Sequence, residues 1–300
     1  MTDAALKPVT LFLMTEKGLA FLQGTVGRFK ALFALVVVGR DSALQNDCAA
    51  EIIALCKAEG IPVVQRANFD TVTTDYAMAV AWRWLIPHPA DRLIVFHDSV
   101  LPRYRGFAPL ATALIKGETE IGVTALFGAG GYDRGAIIAQ SADQITYPIT
   151  IAEAITRNMA NYLTCAETVL GHLLAQRPLP ATPQDEGRAT YSIWRDEADY
   201  QIDWSKPAAE IRRLIDAVGA PYKGAATWCE GRLLRILAAE EVADVVVEDR
   251  HPGKVLFLDE GRPVVICGSG LLRLTRADYD DKGADPFFPL HRFRLRFSNG

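Results

Sequence analysis

Residues 32–65 read LFALVVVGRDSALQNDCAAEIIALCKAEGIPVVQ, and the alternation inside this stretch points to the fold class. Leu32 to Val38 is short, apolar and rich in valine, as expected of a strand buried on both faces of a parallel sheet. Asn46 to Glu59 has helical periodicity, opens on Asn46 or Asp47 as a cap and stops at Gly60. Ile61 to Gln65 is strand-like again. Outward from this unit, Val9 to Met14, Tyr76 to Trp82 and Leu93 to His97 are further candidate strands. Such alternation predicts an open, doubly wound, mostly parallel α/β sheet.

A long helix is expected from Ile151 to Gln176. Thr150 and Glu153 have the spacing of a capping box, and Ile151, Ile155, Tyr162, Ala166, Leu170 and Leu174 mark an apolar face. The pattern then breaks. Arg177 to Thr190 (RPLPATPQDEGRAT) is rich in proline and polar residues and reads as a linker. Beyond it, a helix over Pro207 to Val218 accompanies short strands at Ala226–Cys229, Leu233–Ala238, Gly253–Leu258, Val264–Cys267 and Leu271–Thr275. Short strands separated by turn residues predict a small β-barrel of the OB-like kind. The expected organisation is a first domain over 1–176, a linker and substrate-side segment over 177–206, and a barrel over 207–300.

Half of the 300 residues are apolar and 23% are charged, the profile of a soluble globular protein. The apolar run Ala31 to Val38 is far too short to cross a bilayer, which takes roughly 20 residues. The start of the chain lacks a basic region followed by a long apolar stretch, so the expectation is a cytoplasmic protein without a membrane partner. Five scattered cysteines with no CxxC pair suit reduced thiols and suggest no metal site. The net charge of -4 argues against a large polyanionic partner such as a nucleic acid. No GxGxxG follows the first strand, where the turn reads Met14-Thr15-Glu16-Lys17-Gly18, which disfavours a dinucleotide-dependent oxidoreductase.

The chemistry concentrates in Val95–Ala139, VFHDSVLPRYRGFAPLATALIKGETEIGVTALFGAGGYDRGAIIA. His97 closes a predicted strand, the place where open α/β sheets bind ligands. A second strand, Gly122 to Phe127, leads into a loop with Gly128, Gly130 and Gly131 and then Asp133-Arg134-Gly135. The glycines permit close backbone approach and set a carboxylate at a second strand end, where it could face the histidine. Taken singly, each motif also fits a plain structural turn.

In order and spacing, HDSVLPRYRG, GVT and YDRG resemble the folate-dependent formyltransferase family, and QIDWSKPAAEIRRLIDAVGAPYKGAAT resembles the segment that opens the family's carboxy-terminal barrel. The resemblance runs from the first strand to about Thr275. It implies 10-formyltetrahydrofolate as formyl donor, with His97 and Asp133 as the catalytic pair and no metal. The donor pocket is expected between Trp82, Trp84, Leu85 and Ile86 on one side and Gly128, Gly130 and Gly131 on the other. The family's Asn, two residues before the His, is Val95 here. A backbone N–H, the His97 imidazolium or another side chain must then supply the oxyanion donor, or transfer is weak or lost.

The neutral linker and the segment YSIWRDEADYQIDW look closest to the sugar N-formyltransferases. The acceptor implied is a nucleotide-linked amino sugar of the 4-amino-4,6-dideoxy type, contacted by Ser99, Arg103, Arg105, Gly106, Arg195 and Tyr222. Arginine forks match a diphosphate, and Tyr222 or Trp194 could stack on a base. Methionyl-tRNA formyltransferase is the runner-up, and a non-catalytic folate- or nucleotide-binding protein is a third possibility because of Val95. The tail HRFRLRF, His291 to Phe297, fits an amphipathic edge strand or a homodimer contact.

Overall fold

The computed structural model describes residues 6–41, 44, 46–281 and 286–299. The strands in chain order are β1 Val9–Leu13, β2 Phe33–Val38, β3 Val63–Gln65, β4 Tyr76–Val80, β5 Leu93–His97, β6 Arg105–Gly106, β7 Glu120–Phe127, β8 Ile137–Gln144, β9 Tyr191–Ser192, β10 Ala225–Cys229, β11 Arg232–Val242, β12 Val255–Asp259, β13 Arg262–Ile266, β14 Leu271–Tyr279 and β15 Phe297–Ser298. The α-helices are α1 Thr15–Phe29, α2 Ala49–Glu59, α3 Pro109–Lys116, α4 Ile151–Leu174 and α5 Ala208–Val218. By contact they divide into two units, one of 1–109, 120–145 and 154–193, the other of 110–119, 146–153 and 194–300.

The first unit holds a seven-stranded sheet in the order β3-β2-β1-β4-β5-β7-β8. Its first five strands are parallel, and β7 and β8 add to it antiparallel. Val36, Val37 and Val38 are fully buried, which is why that run shows no polar alternation. Helix α2 starts later than its periodicity suggests, at Ala49. Asp47 spends one carboxylate oxygen on the Ala49 N–H at 3.2 Å, and Asn46 accepts from Cys48 at 2.9 Å. Gly60, at φ +67°, ends the helix, with Ile61 N–H returning to the Cys56 carbonyl. The capping box at α4 is present, Thr150 N–H donating to Glu153 at 2.8 Å and Glu153 N–H to Thr150 Oγ1 at 3.3 Å.

The second unit is a six-stranded antiparallel sheet in the order β12-β13-β14-β11-β10-β15. Val255 N–H reaches the Leu295 carbonyl at 3.0 Å and Phe297 N–H reaches Gly253 at 2.7 Å, so the two ends of the sheet meet and the sheet closes into a barrel. The tail alternates as an amphipathic strand should, Leu295 and Phe297 buried and Arg294 and Arg296 exposed, but it is paired on both sides and is no edge. Trp204 is buried beneath it and donates its indole N–H to Thr227 at 3.0 Å.

The stretch 110–119, placed by its sequence with the first domain, packs instead with the barrel unit. Ile115 lies on the barrel's core, and its carbonyl accepts from Arg213 of α5 at 3.2 Å. An apolar helix face announces burial but not its partner. The buried cysteines are unpaired, and burial pushes the thiols of Cys56, Cys165 and Cys229 up to about 11 and Cys267 to about 12. No helix among the described residues is long and apolar enough to cross a membrane.

Asp216, buried on α5, gives this unit a pH dependence. Burial raises its carboxyl from 3.8 to about 6, aided by Glu153 and Glu241 and opposed by Arg212. The folded state therefore keeps a proton that the unfolded chain has released. Stability falls as pH rises between about 4 and 6 and stays lowered above that. Asp216→Asn is expected to stabilise the protein by about 2 kcal/mol at pH 8 and by little at pH 4, read from thermal unfolding at both values.

Candidate active site

His97 ends β5 and is buried. Its Nε2 lies 2.8 Å from the backbone carbonyl of Tyr104. A carbonyl only accepts, so Nε2 carries the hydrogen. The other ring nitrogen, Nδ1, faces Asp133 Oδ2 at 3.5 Å. A proton between those two atoms makes an imidazolium–carboxylate pair; moved on, it leaves a neutral ring beside an acceptor.

Asp133 sits at φ +53°, a left-handed conformation that Asp and Asn tolerate best among non-glycine residues. Its Oδ2 accepts the Gly106 N–H at 2.9 Å, while no donor among the described residues is recorded on Oδ1. Gly106 stands at φ +99°, and a Cβ there would lie 2.5 Å from the Ser192 carbonyl, so only glycine brings its N–H to the carboxylate. Gly135 is equally constrained, since a Cβ would fall 1.8 Å from the Phe127 carbonyl.

On the other side of the strand end, Asp98 is held by Lys17, by the Tyr162 hydroxyl at 2.7 Å and by Asn158 at 3.4 Å. This cluster pins the turn that follows His97. Nothing in the local sequence pattern predicted it, because its members are far apart in the chain.

Several residues assigned to the acceptor have other partners. Ser99 is buried and donates to the Arg103 carbonyl at 2.7 Å, closing the turn. Arg105, given to a diphosphate, is wholly buried. Its Nε and Nη2 donate to Gln184 Oε1 at 3.0 and 2.8 Å, and Nη1 and Nη2 each donate to the Glu186 carboxylate at 2.9 Å. This guanidinium holds Glu186 down at about 2, with Arg134 assisting. The sequence reading expects Arg105 to contact a ligand, but its guanidinium is buried and spent on Gln184 and Glu186. Gly106 contributes its N–H to Asp133 rather than to solvent. Arg103 is exposed, its guanidinium 5.1 Å from the Tyr104 ring. In the barrel unit, Arg195 donates to Thr112 at 3.3 Å and leaves its Nε buried without a partner among the described residues, and Tyr222 is part of the Tyr200 hydroxyl's electrostatic surroundings.

Gln184 and Glu186 lie in the segment that reads as a linker. It is instead strapped to the first unit: Thr182 pairs with Ile137, Arg105 N–H donates to Thr190 at 2.9 Å, and β9 runs parallel beside β6. Proline and polar content predicted looseness, but these side chains find buried partners.

The segments expected to hold a folate can be tested for fit. Trp82 packs edge-on against Phe12 and Trp84, and its indole N–H is buried with no acceptor among the described residues. Trp84 carries Arg66 at 4.1 Å and Arg83 at 4.9 Å over its ring. Ile86 is partly buried, whereas Leu85 is 89% exposed. In the facing loop, Gly128 N–H is fixed to the Leu93 carbonyl at 2.7 Å and Gly130 looks onto open space. An orphaned donor, an exposed apolar side chain and an open glycine loop are compatible with a flat apolar ligand bearing polar edges. Val95 packs in the apolar cluster with Phe12, Ala79 and Trp82 and offers no side-chain donor.

Comparison with known proteins identifies the class. Residues 48–162 match the formyl transferase family model and 195–284 match the model of the formyl transferase C-terminal domain. The chain is 30% identical over 251 residues to a methionyl-tRNA formyltransferase of Dechloromonas aromatica, covering 79% of this chain and 78% of that one. It is 33% identical over 242 residues to the corresponding protein of Gluconacetobacter diazotrophicus, 76% of each chain. This protein belongs to the formyltransferase family and is a one-carbon transferase.

Among solved structures, an N-formyltransferase from Helicobacter canadensis, in complex with folinic acid and dTDP-3-aminofucose, superposes with a TM-score of 0.70 at 14% identity. It covers 91% of this chain and 100% of that one. WlaRD, a sugar 3N-formyl transferase, gives 0.65 at 17% identity over 93% and 100%. HypX from Aquifex aeolicus gives 0.64 at 16% identity over 92% of this chain, which spans only 45% of HypX. These likenesses establish the shared fold.

Proposed function

We propose that this enzyme moves the formyl group of 10-formyltetrahydrofolate onto the amino group of a nucleotide-linked amino sugar of the 4-amino-4,6-dideoxy type, in the cytoplasm, for surface glycan synthesis. The observation that carries the choice of acceptor is a strip of exposed side chains beside the catalytic pair. Phe107 and Tyr132 flank the Gly106–Asp133 hydrogen bond with ring centroids 5.3 Å apart, and Tyr191 on β9 and Ile193 just after it adjoin them, all four exposed. Exposed apolar side chains gathered beside a reactive pair mark a ligand surface, and aromatic faces suit a sugar ring or a base. A tRNA surface would be basic, whereas this chain has a net charge of -4. The solved neighbours, one in complex with dTDP-3-aminofucose and one a sugar 3N-formyl transferase, support an amino-sugar acceptor, though not the 4-position of its amino group.

The donor would lie between Trp82, Trp84, Leu85 and Ile86 and the loop of Gly128, Gly130 and Gly131, and when bound it supplies an activated formyl carbon. Asp133 Oδ1 accepts the proton of the attacking amine while Oδ2 stays on the Gly106 N–H. The His97–Asp133 pair then holds that proton and returns it when the leaving nitrogen needs it. With valine at position 95, the developing oxyanion depends on backbone N–H groups or the charged imidazole.

Sequence identity to methionyl-tRNA formyltransferases favours a second reading, and Val95 a third, a binding protein without turnover. One assay separates them: tetrahydrofolate release from 10-formyltetrahydrofolate with a panel of nucleotide-linked 4-amino-4,6-dideoxyhexoses, and with charged initiator methionyl-tRNA. Turnover with a sugar is expected. Turnover with tRNA alone overturns the sugar reading. Folate binding with no turnover, and a large gain in Val95→Asn, supports the binding protein.

A further inference from the structure

Gln184 lies outside every motif that identifies the family, yet it is hydrogen-bonded to both loops that build the catalytic pair. Its amide Nε2 donates to the Asp133 carbonyl at 2.7 Å and to the Gly135 carbonyl at 2.8 Å. Its Oε1 accepts from Arg105 Nε and Nη2 at 3.0 and 2.8 Å. All the hydrogen-bonding capacity of the amide is in use, two donors and two lone pairs. The next residue after Arg105 is Gly106, whose N–H holds the Asp133 carboxylate. One side chain therefore joins the backbone of Asp133 to the segment that grips its carboxylate. The ends of its own segment are fixed by the Thr182–Ile137 bridge and by the Arg105–Thr190 hydrogen bond.

From this geometry we infer that Gln184 is a positioning residue for the reaction, setting Asp133 against His97 by clamping the Asp133–Gly135 backbone to the Arg105–Gly106 segment. Asp133 needs such a clamp. It stands at φ +53° among neighbours that are also left-handed, Tyr104 at +60° and Gly106 at +99°, and such backbone persists only where its surroundings over-determine it. The 3.5 Å between His97 Nδ1 and Asp133 Oδ2 is already at the edge of a hydrogen bond, so a small drift of the Asp133 loop would break the pair. Displacements of about 1 Å at reacting groups can lower rates on the order of 100-fold.

The inference rests on the assignment of His97 and Asp133 as the chemical centre, and the test keeps the two apart. Gln184→Glu retains the acceptor for Arg105 but sets a carboxylate against two carbonyls. Gln184→Met removes both arms without adding charge, and it serves if the Glu variant does not fold. Each is assayed with the most active amine of the panel above, beside Asp133→Asn. In parallel, the ¹⁵N resonance of His97 Nδ1 is recorded without substrate. Expected for Gln184→Glu are a kcat roughly 10-fold or more below native, a KM for the amine within about threefold, and a moved His97 resonance, in a protein that unfolds cooperatively. Native kcat and an unmoved resonance in a folded variant, with Asp133→Asn inactive, overturn the inference. So does a raised KM at native kcat, which would make Gln184 an acceptor contact. Native turnover in Asp133→Asn instead removes the assignment of the pair, and the inference with it.

Discussion

Asp133→Asn yields a folded protein whose turnover falls about 100- to 10,000-fold, the range associated with a positioned proton acceptor. The substitution is close to isosteric, and each structural duty of Asp133 survives it. Asparagine tolerates the left-handed φ of +53°, its amide oxygen can still accept the Gly106 N–H, and the Asp133 carbonyl remains bonded to Gln184. What disappears is the charge on Oδ1 and Oδ2, and with it the acceptor for the amine proton and the counter-charge for an imidazolium. Thermal unfolding should therefore stay within a few degrees of native while kcat collapses. His97→Ala should lose a comparable amount. Because the two groups act as one unit, the double variant should be little worse than the poorer single one. Additive losses, or an Asn variant keeping more than about a tenth of native kcat, would show that Asp133 does not take the proton.

The parts of this molecule legible from its sequence are those written in local periodicity. Strand β2 shows as a valine run because it is covered on both faces, and β5 and α5 show because their ends carry turn residues. His97 stands out because it closes a strand at the ligand-binding end of a doubly wound sheet, whereas Asp133 follows β7, which runs antiparallel to β5 and ends beside its start. Helix α1 is harder to see. Its sequence holds Gly18, Gly24 and Gly27, which weaken the helical pattern, yet at Gly18 a Cβ would press to 3.0 Å from Leu13 Cβ. Strand β8 fades into polar residues along its outer half, where it is the sheet's edge. The least legible parts are side-chain bonds between distant segments: Gln184 to Asp133, Glu186 to Arg105, Lys17 to Asp98. A proline-rich stretch with scattered polar residues looks the same whether it dangles or is buttoned down. Only the positions of its partners, set by the rest of the fold, decide.

Arg105 shows how such a misplacement is tested, since its two possible roles make opposite predictions. A phosphate-binding arginine lies at the surface, and its loss raises KM while leaving the fold unchanged. The Arg105 found here is fully buried, with its guanidinium divided between Gln184 Oε1 and both oxygens of Glu186. In Arg105→Met, Gln184 Oε1 loses both of its donors and faces an apolar side chain, while Glu186 keeps Arg134. Breaking a fully buried charged pair costs about 3–5 kcal/mol. Glu186 is half exposed and can turn to water, so the expected loss is nearer 2–3 kcal/mol, or about 5–10 °C in Tm for a unit of this size. Arg105→Lys should recover little of it, because an ammonium cannot span Gln184 and the carboxylate together. The segment that carries Gly106 then keeps its backbone bonds to Thr190 and Ser192 but loses its side-chain anchor, so the Gly106 N–H is held less firmly on the Asp133 carboxylate and kcat should fall with stability. The measurement is the pair of values, Tm and the kcat-against-KM split, on both variants. A native Tm with a raised KM would return Arg105 to the acceptor. A lowered Tm with lowered kcat would establish that this arginine serves the active site from behind, through the strap that holds Gln184 and Glu186.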